Sequence, residues 1–265
     1  MLSVIRVGKE YGPAGPGRVA ALTEVSLEIG GGDFVAIMGP SGSGKSTLLS
    51  ILGAMNPPTT GTVTIDGIDV YGLSQERQAD LRREYIGFVF QQLELLPYLT
   101  AVENVMLPLA ILKTQDKRGK ALRALEQLGL DAKKAGRLPS ELSGGEQGRV
   151  AIARAIVNDP PIILADEPTG SLDTESGQLV LGLLRQLATA GHAVVMVTHN
   201  PDSRLAADRV ISIRDGRCSD CSAPAEDDPL GLGSLAARRC VVDHPTVAAP
   251  VLLGLVHDGE RMGGC

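Results

Sequence analysis

Three runs of apolar residues predict a sheet that is buried on both faces. The runs are residues 34–38, 161–165 and 193–197, and each is followed directly by residues with chemical function. Uninterrupted apolar runs are typical of parallel strands, because helices cover both faces of a parallel sheet. The carboxyl ends of such strands meet the ligand crevice. We therefore expect the functional residues of this chain at those ends.

Other segments have other periods. Residues 62–70 alternate between apolar and polar around Asp66 and Gly67, which predicts a β-hairpin. Residues 121–128 and 142–156 space their apolar side chains as helices do. Strand runs that alternate with helical stretches predict an α/β fold with a mostly parallel sheet.

A glycine-rich loop follows the first apolar run and matches the phosphate-binding pattern G-x-x-x-x-G-K-[ST]. Glycines let such a loop turn its amides toward phosphate oxygens, and the next helix points its positive end at the anion. Lys45 would bind the β- and γ-phosphates, and Ser46 would offer a hydroxyl to Mg²⁺. A chance match is the alternative, but the preceding strand, the lysine and the hydroxyl together favour a nucleoside triphosphate site. The expected ligand-binding residues are Gly39, Pro40, Ser41, Gly42, Ser43, Gly44, Lys45, Ser46 and Thr47.

Two acids, Asp166 and Glu167, close the second apolar run. Asp166 is expected to hold Mg²⁺, directly or through water, and Glu167 to orient and deprotonate the attacking water. Acids at a strand end are often only solvated caps. Next to a phosphate-binding loop, the catalytic interpretation is favoured.

A second candidate anion site lies at residues 142–146, which read Leu-Ser-Gly-Gly-Glu and lead into a helical pattern. Ser143 and the glycines fall where a helix N-terminus exposes free amides. An ordinary N-capped helix with a glycine turn fits the same pattern. One nucleotide cannot easily contact two anion sites so far apart in one chain.

These motifs together, with the stretch LADEPTGSLD at residues 164–173, resemble the nucleotide-binding subunit of ATP-binding cassette (ABC) transporters over about residues 1–217. The resemblance implies a P-loop NTPase fold with a mostly parallel core, an antiparallel β subdomain and a helical subdomain inserted at about residues 92–160. It also implies that two copies pair head to tail, so that Ser143 and Gly145 of one copy cover the ATP bound to the other. The active enzyme would be a dimer with two composite sites.

Four further residues match positions of that family. Gln91 lies at the position of the glutamine loop, where it would reach Mg²⁺ and water; by itself it is only a polar residue after a strand. His199 matches the switch histidine that contacts the γ-phosphate. Tyr11 matches the aromatic that stacks on adenine, although a tyrosine that packs on the sheet is the alternative. Asp173 matches an aspartate that crosses the dimer interface.

The net charge of −6 and the lack of a basic stripe argue against a nucleic-acid partner. The sequence contains no run near the about 20 apolar residues that a membrane-spanning helix needs and no signal-peptide pattern. We therefore expect the protein at the cytoplasmic side of the cell membrane, attached through a partner.

Within the family, the chain resembles the lipoprotein-release and macrolide-export subgroup. That resemblance implies an integral-membrane permease as partner. One rival function is that of an ATP-driven regulator, which transmits force through a permease-like partner without moving a solute. Another is a soluble ABC protein of repair or translation, but such chains usually carry two cassettes or a coiled-coil insertion.

The segment 218–265 holds all four cysteines, and two interpretations of it stay open. Cys218, Cys221, Cys240 and His244 have a spacing compatible with tetrahedral zinc. The alternative is a flexible extension that contacts a partner, since residues 223–229 have a disorder-prone composition. Structural disulfides are not expected in a reducing cytosol.

Overall fold

The structure of the protein, a computed structural model, describes residues 1–13, 17–112 and 114–221. The strands are β1 Leu2–Tyr11, β2 Val19–Ile29, β3 Phe34–Met38, β4 Thr60–Ile65, β5 Ile68–Asp69, β6 Ile86–Val89, β7 Ile162–Asp166, β8 Ala193–Thr198, β9 Arg209–Arg214 and β10 Arg217–Cys221. The α-helices are α1 Lys45–Leu52, α2 Gln75–Tyr85, α3 Ala101–Met106, α4 Lys117–Gln127, α5 Ala132–Ala135, α6 Gly144–Ile156 and α7 Thr174–Thr189. Short 3-10 helices lie at Leu107–Leu109, Pro139–Glu141 and Pro201–Ala206.

The central sheet has the strand order β10-β9-β3-β8-β7-β6. Strands β9, β3, β8, β7 and β6 are parallel, and only β10 runs antiparallel to its neighbour. The three apolar runs are adjacent strands in the middle of this sheet. The prediction of a mostly parallel core is confirmed.

The apolar runs are continuous because the two faces of the sheet meet two different hydrophobic clusters. Val35 and Ile37 of β3 join a cluster with α1 and the second sheet. Phe34 and Ala36 join a cluster with α3, α4, α6 and α7. Alternate residues of one strand point to opposite faces, so neither face can be polar.

The second sheet is antiparallel with the order β2-β1-β4-β5. In the hairpin β4–β5, Ile65 pairs with Ile68 across a two-residue turn. Asp66 and Gly67 in that turn have φ of 48° and 81°. Positive φ at both central residues matches the twist of the strands, which is why an Asp-Gly pair is favoured there. The predicted hairpin and antiparallel layer are confirmed.

A helical region lies between β6 and β7 in the chain, where the sequence predicts the inserted subdomain. The helices α3, α4 and α6 share the second hydrophobic cluster through Val105, Leu125 and Ile152. Among residues 1–13, 17–112 and 114–221, no helix is both long enough and apolar enough to cross a bilayer.

The cysteine-containing segment is described only as far as β10. Cys218 packs against the first hydrophobic cluster, and burial raises the pKa of its thiol to about 11. Such burial opposes the thiolate form that a zinc ligand requires. Cys240, His244 and Cys265 lie outside the described residues. Both interpretations of this segment, a zinc site and a flexible extension, therefore stay predictions.

Candidate active site

About half of the expected site residues line a cavity of about 600 Å³ at the carboxyl edge of the parallel sheet. Five segments contribute to it: β2, the loop between β3 and α1 with the start of α1, the loop after β6, and the residues that follow β7 and β8. The strand register explains the convergence, because Met38 pairs with Thr198 and Asp166 pairs with Val197. The lining residues are Ala21, Ser41, Gly42, Gly44, Lys45, Ser46, Thr47, Gln91, Glu167 and His199.

The phosphate-binding loop is closely packed from outside, and this packing requires its glycines. Gly44 caps α1 with φ of 105°, and a Cβ there would collide with the backbone oxygen of Ala21. A Cβ on Gly39 would collide with the backbone oxygen of Ile213. The loop therefore keeps its shape only with glycine at both positions.

Lys45 lies across this loop. Its Nζ donates to the carbonyls of Gly39 at 2.9 Å and Pro40 at 2.8 Å, and its side chain is buried. An ammonium group has three N–H donors, so one donor remains for a phosphate oxygen. Gly39 and Pro40 thus act on the site through Lys45 and do not line the cavity themselves.

Ser46 and Asp166 form a pair that fits a divalent cation. The hydroxyl of Ser46 lies 3.5 Å from Oδ1 of Asp166. Burial, and to a smaller degree the charge of Glu167, raises the pKa of Asp166, while the Ser46 hydroxyl and Lys45 oppose that rise. A cation here would relieve the buried negative charge. One carboxylate and one hydroxyl are a set that Mg²⁺ accepts when phosphate and water supply its other ligands.

No cluster of three or more His, Cys, Asp or Glu side chains suited to a metal occurs among the residues that the structure describes. A Mg²⁺ ion at Ser46 and Asp166 would therefore depend on the nucleotide for the rest of its coordination. This dependence is typical of sites that bind Mg²⁺ together with a triphosphate.

Glu167 and His199 are in direct contact. Nδ1 of His199 lies 2.8 Å from Oε1 of Glu167. Because an ionised carboxylate only accepts, the imidazole proton must reside on Nδ1 in this bond. Glu167 itself has φ of 45°, and its amide donates to Val197 of β8 at 2.9 Å. The backbone thus turns sharply after β7 and directs the carboxylate to the cavity.

Gln91 reaches the same place from the other side. Its side-chain amide and Oε2 of Glu167 lie so near Gly170 that a Cβ there would be 3.3 Å and 3.4 Å from them. The hydroxyl of Ser171 donates to the backbone carbonyl of Gln91 at 3.2 Å. Gln91, Glu167 and the turn at residues 170–171 therefore meet at one point beside the phosphate-binding loop.

Tyr11 is not among the residues that line the cavity. Its hydroxyl accepts a hydrogen bond from Nδ2 of Asn56 at 2.7 Å, and Nζ of Lys9 lies 5.2 Å from the centre of its ring. The ring is exposed at the end of β1. Stacking of this ring on adenine remains a prediction.

Ser143, Gly145 and Asp173 lie at the start of two adjacent helices and not at the cavity. Ser143 caps α6, and the carboxylate of Glu146 accepts from the amide of Ser143 at 2.9 Å. Asp173 caps α7 by accepting from the amide of Ser176 at 2.9 Å. A Cβ on Gly145 would lie 2.6 Å from the hydroxyl of Ser176, so the two helix ends are in contact. Within one chain, neither helix end lines the cavity that contains Lys45.

Two residues of the site region were missed by sequence reasoning. Ala21 of β2 lines the cavity, and Ser171 holds the carbonyl of Gln91. A small apolar residue in a strand carries no chemical signal. Ser171 is part of the stretch LADEPTGSLD, and nothing in the sequence indicates that its hydroxyl faces Gln91.

Comparisons with known proteins agree with this geometry. The profile described as ABC transporter matches residues 22–170. The Bacillus subtilis protein named uncharacterized ABC transporter ATP-binding protein YvrO is 47% identical over 218 residues, which are 82% of this chain and 94% of that protein. The Paracoccus denitrificans protein named macrolide export ATP-binding/permease protein MacB 1/2 is 48% identical over 230 residues. That match covers 85% of this chain but 34% of MacB, so the chain spans about a third of this relative.

A solved structure of the ATP-binding cassette MJ0796, described as a dimeric post-hydrolysis state bound to ADP and Pi, is also similar. Its TM-score is 0.75 at 43% identity, and the match covers 84% of this chain and all of the cassette. The motifs, the strand order and these relatives lead to one conclusion: the chain belongs to the ABC transporter family, as an ATP-binding and ATP-hydrolysing subunit of it.

Proposed function

We propose that two copies of this chain bind two Mg²⁺–ATP between them, hydrolyse the ATP and drive an integral-membrane permease from the cytoplasmic side of the membrane. The permease would belong to an exporter of the macrolide or lipoprotein type. The observation that carries the proposal is the division of the site. One chain joins Lys45, Glu167, His199 and Gln91 in a cavity, while the helix end at Ser143 lies elsewhere.

Within the proposed site, each residue has a defined role. Lys45 and the loop amides bind the phosphates, and Ser46 and Asp166 hold Mg²⁺, which would neutralise the charge on the phosphates. Glu167 accepts a proton from the attacking water. His199 orients Glu167 and contacts the γ-phosphate, and Gln91 senses whether that phosphate is present.

The helix end at Ser143 supports dimerisation. Amides at the start of a helix favour anions, and Ser143 does not line the cavity of its own chain, so a second copy would supply the phosphate. The related cassette MJ0796 is described as dimeric. Asp173, next to Ser143 in space, would then lie in the interface.

Coupling to a permease is supported by exposed apolar side chains in the segment after Gln91. Tyr98 and Ile111 are 74% and 78% exposed, and Leu107 is partly exposed. Isolated exposed apolar residues are ordinary, but these three lie within residues 98–111, and we propose that they form a contact surface for the permease. Several relatives are named macrolide export ATP-binding/permease proteins, which supports a permease as the partner.

Affinity capture tests this proposal. The Glu167→Gln protein would be loaded with ATP, captured from detergent-solubilised membranes of its own cells, and its partners identified by mass spectrometry. We expect a stoichiometric polytopic permease with a large extracytoplasmic domain. Recovery of soluble partners alone would contradict a role in transport or in force transmission through a permease.

A matched pair of variants ties the capture to the proposed surface. Ile111→Asp places a charge in the segment after Gln91, whereas Leu205→Asp places one on a residue of similar exposure, 81%, after β8. We expect Ile111→Asp to lose the permease and keep ATP hydrolysis. Leu205→Asp should keep both. Equal capture of the permease by the two variants would show that the exposed apolar residues after Gln91 do not bind it.

A further inference from the structure

The loop that follows Gln91 has an unusual backbone. Leu93 and Glu94 are consecutive, and both have positive φ, 55° and 47°. Residues with a Cβ rarely adopt this left-handed conformation, and glycine is absent here. Something outside the loop must hold it in place.

Arg154 of α6 supplies that hold. Its Nη2 donates to the carbonyl of Leu93 at 2.7 Å, and its Nη1 donates to the carbonyl of Glu94. The planar fork of a guanidinium matches two adjacent carbonyls, which an ammonium group cannot do with the same geometry. The guanidinium of Arg154 is largely removed from water, so the two carbonyls replace water as its hydrogen-bond partners. The carboxylate of Glu94 is the nearby opposite charge.

The position of Arg154 in α6 connects the loop after Gln91 to the start of that helix. The N-cap of the same helix is Ser143, eleven residues earlier, and the helix is uninterrupted between the two. A helix of that length spans about 16 Å and moves as one piece. On the opposite side, Ser171 holds the carbonyl of Gln91. The loop of Gln91 is thus attached both to α6 and to the turn beside Glu167.

We propose that Arg154 is a positioning residue for Gln91. It fixes the left-handed turn at Leu93 and Glu94, and thereby transmits the position of α6 to the amide of Gln91 in the active site. The inference rests on the proposed role of Gln91 in ATP hydrolysis. It adds a residue that touches neither nucleotide nor metal and acts through the backbone of the loop.

The test compares two arginines of one helix. Arg154→Lys keeps the charge but loses the fork, and Arg149→Lys makes the same change where Nη1 of the arginine lies 3.5 Å from the carbonyl of Leu128, away from Gln91. We expect kcat for ATP hydrolysis to fall about 10- to 100-fold in Arg154→Lys, because a small misplacement of a catalytic group has effects of that size. ATP Kd should change less than about threefold, and Arg149→Lys should stay within about twofold of wild type in kcat.

A double-mutant cycle with Gln91→Ala separates positioning from general destabilisation. If Arg154 acts through Gln91, Arg154→Lys should lower kcat no further in the Gln91→Ala background. Additive effects would overturn the proposal. So would equal losses of kcat in Arg154→Lys and Arg149→Lys, or wild-type kcat in Arg154→Lys.

Amide hydrogen exchange gives a readout that does not depend on turnover. In Arg154→Lys, exchange in the peptide that covers residues 90–98 should accelerate, whereas Arg149→Lys should leave it unchanged. Unchanged exchange in both variants would overturn the proposal. Failure of the proposed function would give a different result. In that case, Gln91→Ala would hydrolyse ATP at the wild-type rate.

Discussion

The carboxylate of Glu167 is held by its backbone and by a neighbour. The backbone N–H of Glu167 donates a hydrogen bond to the carbonyl of Val197 in β8. The Oε1 atom of Glu167 accepts from Nδ1 of His199 at 2.8 Å. A glutamine at this position has the same shape, and its amide oxygen still accepts from the imidazole. It cannot take a proton from water. The Glu167→Gln variant therefore tests proton transfer while it keeps the position of the side chain.

From this geometry we expect Glu167→Gln to lower ATP hydrolysis by about 10²- to 10⁴-fold, the range for loss of a general base. ATP affinity should be retained, because the phosphate contacts of Lys45 are intact. Phosphate release and equilibrium nucleotide binding measure the two quantities. Normal turnover by the variant would remove Glu167 from the role of base.

Gly148 shows where residue-level reasoning from sequence and structure differ. Helix propensity alone predicts that Gly148→Gln stabilises the protein by about 1 kcal/mol. In the structure Gly148 is buried, and a Cβ would lie 3.3 Å from Cγ2 of Val180 and 3.5 Å from Cδ1 of Leu172. A long polar side chain must then enter the contact between α6 and α7, which opposes the gain.

Gly182 in α7 is the matched control, since it is exposed and a Cβ there would meet no neighbouring group within the part of the chain that the structure describes. We expect Gly182→Gln to raise the free energy of unfolding by about 0.5–1 kcal/mol. Gly148→Gln should leave it unchanged or lower it. Urea denaturation of both variants measures the difference, and equal stabilisation would show that the packing against Val180 is irrelevant.

Among the site residues, those that sequence identifies are the ones whose chemistry restricts the residue type. A phosphate loop needs Lys45, and a general base needs Glu167, so both carry a recognisable pattern. Arg154 and Ser171 act on backbone carbonyls, and every residue has a carbonyl. No pattern in the sequence can indicate such a pair, because the recognised group is common to all positions.

At the scale of elements, the strands of the core follow from composition, whereas helix contacts do not. β3, β7 and β8 can be recognised in the sequence because alternate residues enter two different hydrophobic clusters, so both faces are apolar up to the carboxyl ends of the strands. The hairpin β4–β5 follows from the φ preferences of Asp66 and Gly67. The contact between the starts of α6 and α7 joins residues about thirty positions apart, and no local signal encodes it.

The start of α6 makes a prediction about pH. The amide of Ser143, and next the ammonium of Lys134 at 2.9 Å, lowers the pKa of Glu146 below its usual 4.5. A lowered carboxyl pKa stabilises the folded state above the unfolded value, and the stabilisation is lost as the pH falls through the folded pKa. The effect requires ionised Glu146 and is partly screened by solvent.

We therefore expect Glu146→Gln to lower the free energy of unfolding by less than about 1 kcal/mol at neutral pH. The difference from wild type should shrink as the pH falls below the usual carboxyl value of 4.5. Glu126→Gln, on the exposed side of α4, is the control and should show no such trend. Urea denaturation across this pH range is the measurement. A difference that is constant with pH would show that the contacts of Glu146 with Ser143 and Lys134 do not stabilise the fold through the charge of Glu146.

At the scale of the whole molecule, the proposed function depends on two candidate anion sites. Lys45 lines the cavity, whereas the helix end at Ser143 does not line the cavity of its own chain. Their union in a head-to-tail pair would explain why both are present. It would also give α6 a reason to carry Ser143 at one end and Arg154 at the other, because closure of the pair would then reach Gln91.

The most direct test of this account is the molar mass of the Glu167→Gln protein in solution, measured by light scattering with ATP and Mg²⁺, with ADP, and without nucleotide. We expect the molar mass to shift from 27.7 kDa to twice that value with ATP and Mg²⁺, and to stay at 27.7 kDa with ADP or without nucleotide. Ser143→Arg, which places a bulky side chain at the helix end, should bind ATP and stay monomeric. A Glu167→Gln protein that binds ATP in the same sample and remains at 27.7 kDa would contradict the composite site.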